Sequence, residues 1–261
     1  MLTTWAIVLA TLLALFAVVW VWATFRRDVS VVDAWWSLGF LVAAAVAARG
    51  GEGLDPRKTL VLILVAAWAL RLSAYLAWRN HGEPEDRRYA AMRQRRGPAF
   101  WWQSLLVVFW LQAALVAVIC LPHLVVLAAP AGPRLGFFDA LGLILWVIGF
   151  SFETIGDAQL AGFKADSNNR GKVLDRGVWA WTRHPNYFGE ACLWWGFGAI
   201  ALAVPNGWIA LPSVALMTFL LLRVSGVTLL ERDIGERRPA YRDYIARTSA
   251  FFPRPPRPRK A

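Results

Sequence analysis

The chain has 261 residues, 58% of them hydrophobic, with 16 Trp and a net charge of +11. A mean hydropathy of +0.45 excludes an ordinary soluble domain. The charge calls for no nucleic acid, because basic loops beside a membrane set its orientation and meet anionic lipid headgroups.

A spanning helix needs about 20 mostly apolar residues. Seven stretches qualify: 4–25, 30–48, 59–78, 101–121, 135–156, 187–204 and 208–230. The predicted class is therefore an all-α integral membrane bundle of about seven helices. Six or eight remain open, because Pro205-Asn206-Gly207 reads as a short turn or as a re-entrant kink. One side of that bundle collects 22 Lys and Arg and the other only 4, which assigns the rich side, with the C-terminus, to the cytoplasm and the N-terminus to the outside. The expected location is a bacterial inner membrane. The apolar surface is already accounted for by lipid, so no oligomeric state follows from it.

The first stretch, Trp5 to Phe25, carries no charge and ends at Arg26-Arg27. No A-x-A-like site follows it, so it is expected to stay as a helix and not to be cleaved as a signal. The second opens with Asp33, followed by Trp35 and Trp36. Asp33 reads either as an acid favoured by a helix N-terminus or as a functional carboxylate at the membrane entry. In the third, Trp68, Arg71 and Tyr75 share one helix face, and Arg71 is too deep to snorkel easily. Residues 79–100 mix Glu83, Glu85 and Asp86 with arginines and read as a solvated interfacial helix. In the fourth stretch Gln112 is the one polar side chain between Ser104 and Cys120. An irregular outer loop with Pro122, Pro130, Gly132 and Pro133 follows it. Cys120 and Cys192 lie in separate apolar segments and form no disulfide framework. His81, His123 and His184 lack metal-ligand spacing, so no protein-held metal is expected.

Polarity changes at the end of the fifth stretch. Glu153 and Asp157 are one helical turn apart. Lys164, Asn169 and Lys172 follow in a loop, then Arg183 and His184. Pro185 is placed to start a helix, on which Asn186, Glu190 and Trp194 share a face. Cations and helix-start N–H groups suit phosphate, while carboxylates and amides suit ribose hydroxyls or a carboxamide. No dinucleotide or P-loop fingerprint is present, so any nucleotide sits in a pocket of helices and loops. Beyond the seventh stretch, which adds Arg223, Tyr241 and Tyr244 line a short amphipathic helix. A disordered basic tail is expected at 253–261.

The run TRHPNYFGE, with the later Y-x-x-Y and FFP, resembles the steroid 5α-reductase family, in its bacterial branch known only as an uncharacterised domain. It is more distantly similar to isoprenylcysteine carboxyl methyltransferases, which share R-H-P-x-Y. The resemblance implies NADPH as cofactor and hydride transfer to an activated C=C bond of a lipophilic substrate drawn from the bilayer. Residues 1–134 would form the substrate side of a single membrane domain and 135–252 the cofactor side. Glu153, Asp157, Lys164, Asn169, Lys172, Arg183, His184, Asn186, Tyr187, Trp194, Arg223, Tyr241 and Tyr244 would bind the cofactor. Asp33, Arg71, Tyr75 and Glu190 would serve catalysis, with Trp36 and Trp68 at the substrate. Trp68 stands where the family has a tyrosine and Glu153 where its better-known members have asparagine, so the lipid itself stays unnamed. The alternatives are an S-adenosylmethionine-dependent methyltransferase and a non-enzymatic lipid-binding or transport protein.

Overall fold

In hydrocarbon every backbone N–H and C=O must find its partner inside the segment, so apolar runs of this length become helices. The computed structural model describes residues 1–51, 53–132, 134–224, 227, 231 and 240–257. In chain order the helices are α1 (Leu2–Arg26), α2 (Val31–Arg49), α3 (Pro56–Asn80), α4 (Arg87–Arg96), α5 (100–119), α6 (Leu121–Ala128), α7 (Phe137–Ala165), α8 (Pro185–Ala201), α9 (Leu211–Phe219) and α10 (Ala240–Arg247). Single helical turns stand at Ser167–Asn169, Val178–Trp181 and Gly207–Ala210. Among the described residues there is no strand beyond one isolated bridge, Thr182 to Ser249.

The chain is an integral membrane helical bundle. Among the described residues, six helical stretches are long and apolar enough to cross a membrane: Leu2–Arg26, Val31–Arg49, Pro56–Asn80, Arg87–Ile119, Phe137–Ala165 and Gly207–Val224. The seventh expected span, 187–204, forms α8, whose 17 residues reach about 26 Å and fall at the short end of what spans. Pro205–Gly207 is a turn, with Asn206 left-handed at φ 59°. The last residues of the stretch at 208–230 lie outside the described residues, apart from Val227.

Two details depart from the sequence reading. The fourth span is not a plain α-helix, since Leu105–Trp110 is wound as a π-helix. Pro122 does not mark an irregular loop but sits in the first turn of α6, where its missing N–H would have had no partner anyway. The interfacial helix expected between the third and fourth spans is α4. It is capped by Asp86, whose side chain accepts from the Arg88 N–H at 2.9 Å. Asp86 is held below the usual carboxylate range: burial opposes this, but hydrogen bonds from Arg88 outweigh it.

The chain divides into two compact units, 1–136 with 201–213, and 137–200 with 214–261. In the first, α1, α2, α3, α5 and α6 pack around fully buried Phe16, Phe40, Trp68 and Phe109. Phe40 takes Trp36 and Trp68 edge-on at 5.3 and 5.5 Å. The second is built on close approach of α7 and α8 through glycines. Gly142, Gly149 and Gly156 recur every seven residues on α7, and Gly189 and Gly196 do so on α8. A Cβ at Gly142 would come within 2.5 Å of the Gly196 carbonyl, and one at Gly196 within 2.7 Å of the Gly142 carbonyl. Gly149 and Gly189 face each other in the same way. Helix association in lipid has no hydrophobic drive of its own, so such small residues let backbone packing supply it.

Candidate functional site

A cavity of about 300 Å³ lies in the second unit, at the foot of α7. Its wall starts with Leu160, Phe163 and Lys164, at i, i+3 and i+4 on one face of α7. The chain then turns sharply. Asp166 caps the turn Ser167–Asn169 by accepting from the Asn168 N–H at 2.9 Å, and the Asn169 amide donates to the Phe163 carbonyl at 3.0 Å. The latter bond satisfies one of the carbonyls left open at a helix end. Gly171, at φ 77°, lets the loop fold back and bring Arg170 and Lys172 to the cavity.

The far wall is held by long-range bonds. Trp179 donates its indole N–H to the Gly156 carbonyl at 3.0 Å, and the Val178 N–H donates to Gln159 Oε1 at 3.0 Å. Gly177, at φ 60°, has the Gln159 amide where a Cβ would be, so both its conformation and its space require glycine. Tyr241 and Tyr244 of α10 close the cavity, their rings edge-on at 5.1 Å, and the Tyr244 hydroxyl donates to the Trp179 carbonyl. Burial, with Tyr241 beside it, raises Tyr244 well above its ordinary value and keeps it neutral. Arg247 latches α10 to the loop through Asp175 at 3.1 Å. Three cations, Lys164, Arg170 and Lys172, thus face one carboxylate, Asp166, across aromatic walls. A ligand with more than one negative charge, hydroxyls and a flat ring matches that donor set.

Of the candidate cofactor residues, Lys164, Asn169, Lys172, Tyr241 and Tyr244 line this cavity. Arg170, Asp166, Phe163, Leu160 and Trp179 line it too but were not singled out from the sequence. A second group forms a separate knot in the same unit. Arg183, 6% exposed, grips Glu231 with Nε at 2.6 Å and Nη2 at 2.8 Å, and its Nη1 donates to the Ile245 and Thr248 carbonyls. His184 Nε2 lies 2.9 Å from Glu231 Oε1, and its ring stacks on Tyr187 at 5.6 Å. Glu231 is half-buried, and burial favours its neutral form. Hydrogen bonds from His184 and Arg183 outweigh that and hold it down at about 2. The main chain joins in, the Arg183 N–H donating to the Ser249 carbonyl at 2.9 Å and the Arg254 N–H to the Trp181 carbonyl at 3.0 Å. The start of the expected disordered tail is therefore hydrogen-bonded, while 258–261 lie outside the described residues.

A third group lies along the α7–α8 contact. The Asn186 amide donates to Asp157 beside Gly156; Glu153 and Trp194 are buried there, and Glu190 is half-buried. Arg223 is exposed, within the π-helical turn Leu220–Val224.

The first unit holds the remaining candidates. Asp33 accepts from the Tyr89 hydroxyl at 2.7 Å and from Arg88 at 3.0 Å, and the Gln112 amide reaches the Tyr89 oxygen at 3.4 Å. The Arg71 guanidinium lies 5.8 Å from the Tyr75 ring, which Arg79 flanks at the same distance. Trp36 and Trp68 meet through Phe40, as described above. Tyr89 and Arg88 are the residues that the sequence reading passed over. Their 55- and 56-residue separations from Asp33 leave no local signal.

An uncharacterised protein of Schizosaccharomyces pombe is 26% identical over 277 aligned positions, which cover 91% of this chain and 76% of the relative. No solved structure matches the chain. A family profile matches residues 19–248, nearly the whole length, and the chain belongs to that family, described as a protein of unknown function, DUF1295.

Proposed function

We propose that this protein is an NADPH-dependent membrane reductase acting on an activated C=C bond of a lipophilic substrate, whether steroid-like, isoprenoid or fatty-acyl. The observation that carries the proposal is the cavity itself. About 300 Å³ at the foot of a membrane helix sits at the lower end of the range for small-molecule sites. It is walled by Lys164, Arg170 and Lys172 on one side and by Trp179, Tyr241 and Tyr244 on the other. The resemblance of TRHPNYFGE to the steroid 5α-reductase signature supports the same reading, and six apolar helices support a substrate that partitions into lipid.

On this reading Lys164, Arg170 and Lys172 hold the phosphates, and Asp166 and Asn169 take ribose hydroxyls. The bound nicotinamide supplies the hydride. The residues of the chain bind and orient it, and the aromatic walls keep water from the reacting face. Tyr244 stays protonated and takes no proton. The Arg183–His184–Glu231 knot ties the C-terminal segment in place, so Arg183 and His184 act on the site by positioning α10. The excess of basic residues on one side supports an inner-membrane location with this cavity on the cytoplasmic side.

Thermal-shift titration of the detergent-purified protein with NADPH and S-adenosylmethionine tests the proposal. S-adenosylmethionine carries no phosphate, so a stabilisation by NADPH that Lys172→Ala weakens is the expected result. A shift with S-adenosylmethionine alone would move the protein to the methyltransferases. Silence with both cofactors would leave the non-enzymatic lipid-binding reading.

A further inference from the structure

A second recess, of about 250 Å³, opens in the first unit at the foot of α1. Ala23 and Val29 form its floor, Thr24, Trp101 and Ser104 its wall, and Arg27 and Arg93 its rim. Trp20 and Trp101 stack here at 6.1 Å, and exposed Trp22 and Trp102 stand at the same ends of their helices. Indoles at one level mark the membrane–water interface, so the recess opens where headgroups lie.

The polar groups of the recess are not equivalent. The Thr24 hydroxyl donates to the Trp20 carbonyl at 2.9 Å, and the Ser104 hydroxyl donates to the Trp101 carbonyl at 2.8 Å while accepting from the Trp20 indole at 3.2 Å. Neither has a hydrogen left for a ligand. Arg93 is neutralised by Glu85, which accepts from Nε at 3.0 Å and from Nη2 at 2.7 Å, and Nη2 also reaches the Arg27 carbonyl at 3.4 Å. Arg93 therefore braces Arg27. Asp28, next along the chain, accepts from the Ser30 N–H at 2.8 Å. The Arg27 guanidinium, by contrast, has no carboxylate partner among the described residues.

Arg27 is also in an unusual place. It terminates α1 in the left-handed region, φ 54° and ψ 31°, with the Asp28 N–H donating back to the Ala23 carbonyl at 3.1 Å. Glycine or asparagine is the unstrained residue at that position of a helix C-terminal motif. Arginine there puts a long cation over the mouth of the recess at a conformational cost.

We propose that this recess binds the phosphodiester of an anionic phospholipid, with Arg27 as its charge partner and the acyl chains continuing along α1 and α5. One uncompensated cation matches one phosphodiester charge and not a polyphosphate, which separates this site from the three-cation cavity of the second unit.

The full-length protein in mixed micelles tests this by native mass spectrometry and thermal unfolding, with phosphatidylglycerol, phosphatidylcholine or inorganic phosphate added. Wild type should retain phosphatidylglycerol and be stabilised by it more than by phosphatidylcholine, with inorganic phosphate inert. Arg27→Gly should fold with a Tm in phosphatidylcholine at least as high as wild type, because glycine relieves the backbone, yet retain about fivefold less phosphatidylglycerol. Arg95→Ala, an exposed cation of α4 outside the recess, should retain it normally. The proposal is overturned if Arg27→Gly keeps wild-type retention, or if Arg95→Ala loses as much. Inorganic phosphate reproducing the stabilisation would equally overturn the lipid assignment.

Discussion

The loop cavity of the second unit and the Asp33 cluster of the first are made of the same residue types, yet they differ in what their charges face. Around Asp33 each polar group meets another: Arg88 and the Tyr89 hydroxyl on the carboxylate, and the Gln112 amide on the Tyr89 oxygen. Around the loop cavity Arg170 and Lys172 line open volume beside Lys164, with Asp166 as the one carboxylate on the wall. Charge beside space points to a ligand, whereas charge beside opposite charge is consistent with packing alone. Five of the candidate cofactor residues, Lys164, Asn169, Lys172, Tyr241 and Tyr244, line that open volume. Asp33, taken alone, names no substrate.

The largest effect should come from removing the scaffold of the cavity without touching its wall. Gly149→Leu drives a side chain into the Gly189 backbone. It should cost about 3 kcal/mol or more and abolish NADPH stabilisation. Gly162→Ala, whose Cβ meets nothing within 4 Å, is the control, and it should be neutral or stabilising by about 0.5–1 kcal/mol. Thermal unfolding in detergent reads both. Equal losses would mean that the glycine contacts do not hold the helix pair.

Next comes the knot behind the cavity. Glu231 is depressed from 4.5 to about 2, so the stability it contributes is fully present above pH 4.5 and is lost as pH falls toward 2. Glu231→Gln should lower stability at pH 7 and flatten the profile below pH 4.5. A parallel loss in wild type and variant across that window would remove Glu231 from the acid response. Smaller still, Lys172→Ala should raise the Kd for NADPH about tenfold at low salt, with less effect at high salt, as expected for a phosphate contact screened by ions.

How far this was legible from the sequence follows the same division. Helices α1, α2, α3 and α7 were visible because hydrocarbon leaves an apolar run of that length one conformation. The π-helical turn at Leu105–Trp110 has no such signature. Lys164, Asn169 and Lys172 were legible as polar residues in a short loop between apolar helices. Asp166 and Arg170 share that loop, but which side of the Ser167–Asn169 turn faces the cavity depends on φ at Gly171. Trp179 and Glu231 act across 23 and 48 residues, on Gly156 and Arg183 respectively, and only tertiary structure makes those bonds. The seven-residue glycine spacing on α7 was plain in the letters. It gains meaning only beside the matching spacing on α8.

The smallest expected effect bears most directly on the comparison, because it asks whether the Asp33 cluster is packing alone. Tyr89→Phe removes one hydrogen bond to Asp33 and keeps the ring, which is 7% exposed. If the cluster only ties α2 to α4, the loss should be about 1 kcal/mol in Tm-derived stability, with Arg88 still holding the carboxylate. Turnover of any lipid enone the protein is found to reduce should then fall no further than stability does, and the Kd for NADPH should not move. Should turnover instead fall about 100-fold or more at unchanged stability and unchanged NADPH affinity, the hydroxyl would be acting on substrate. Asp33 would then join Tyr89 as its orienting partner, and the contrast between the two regions would become one between a cofactor end and a substrate end.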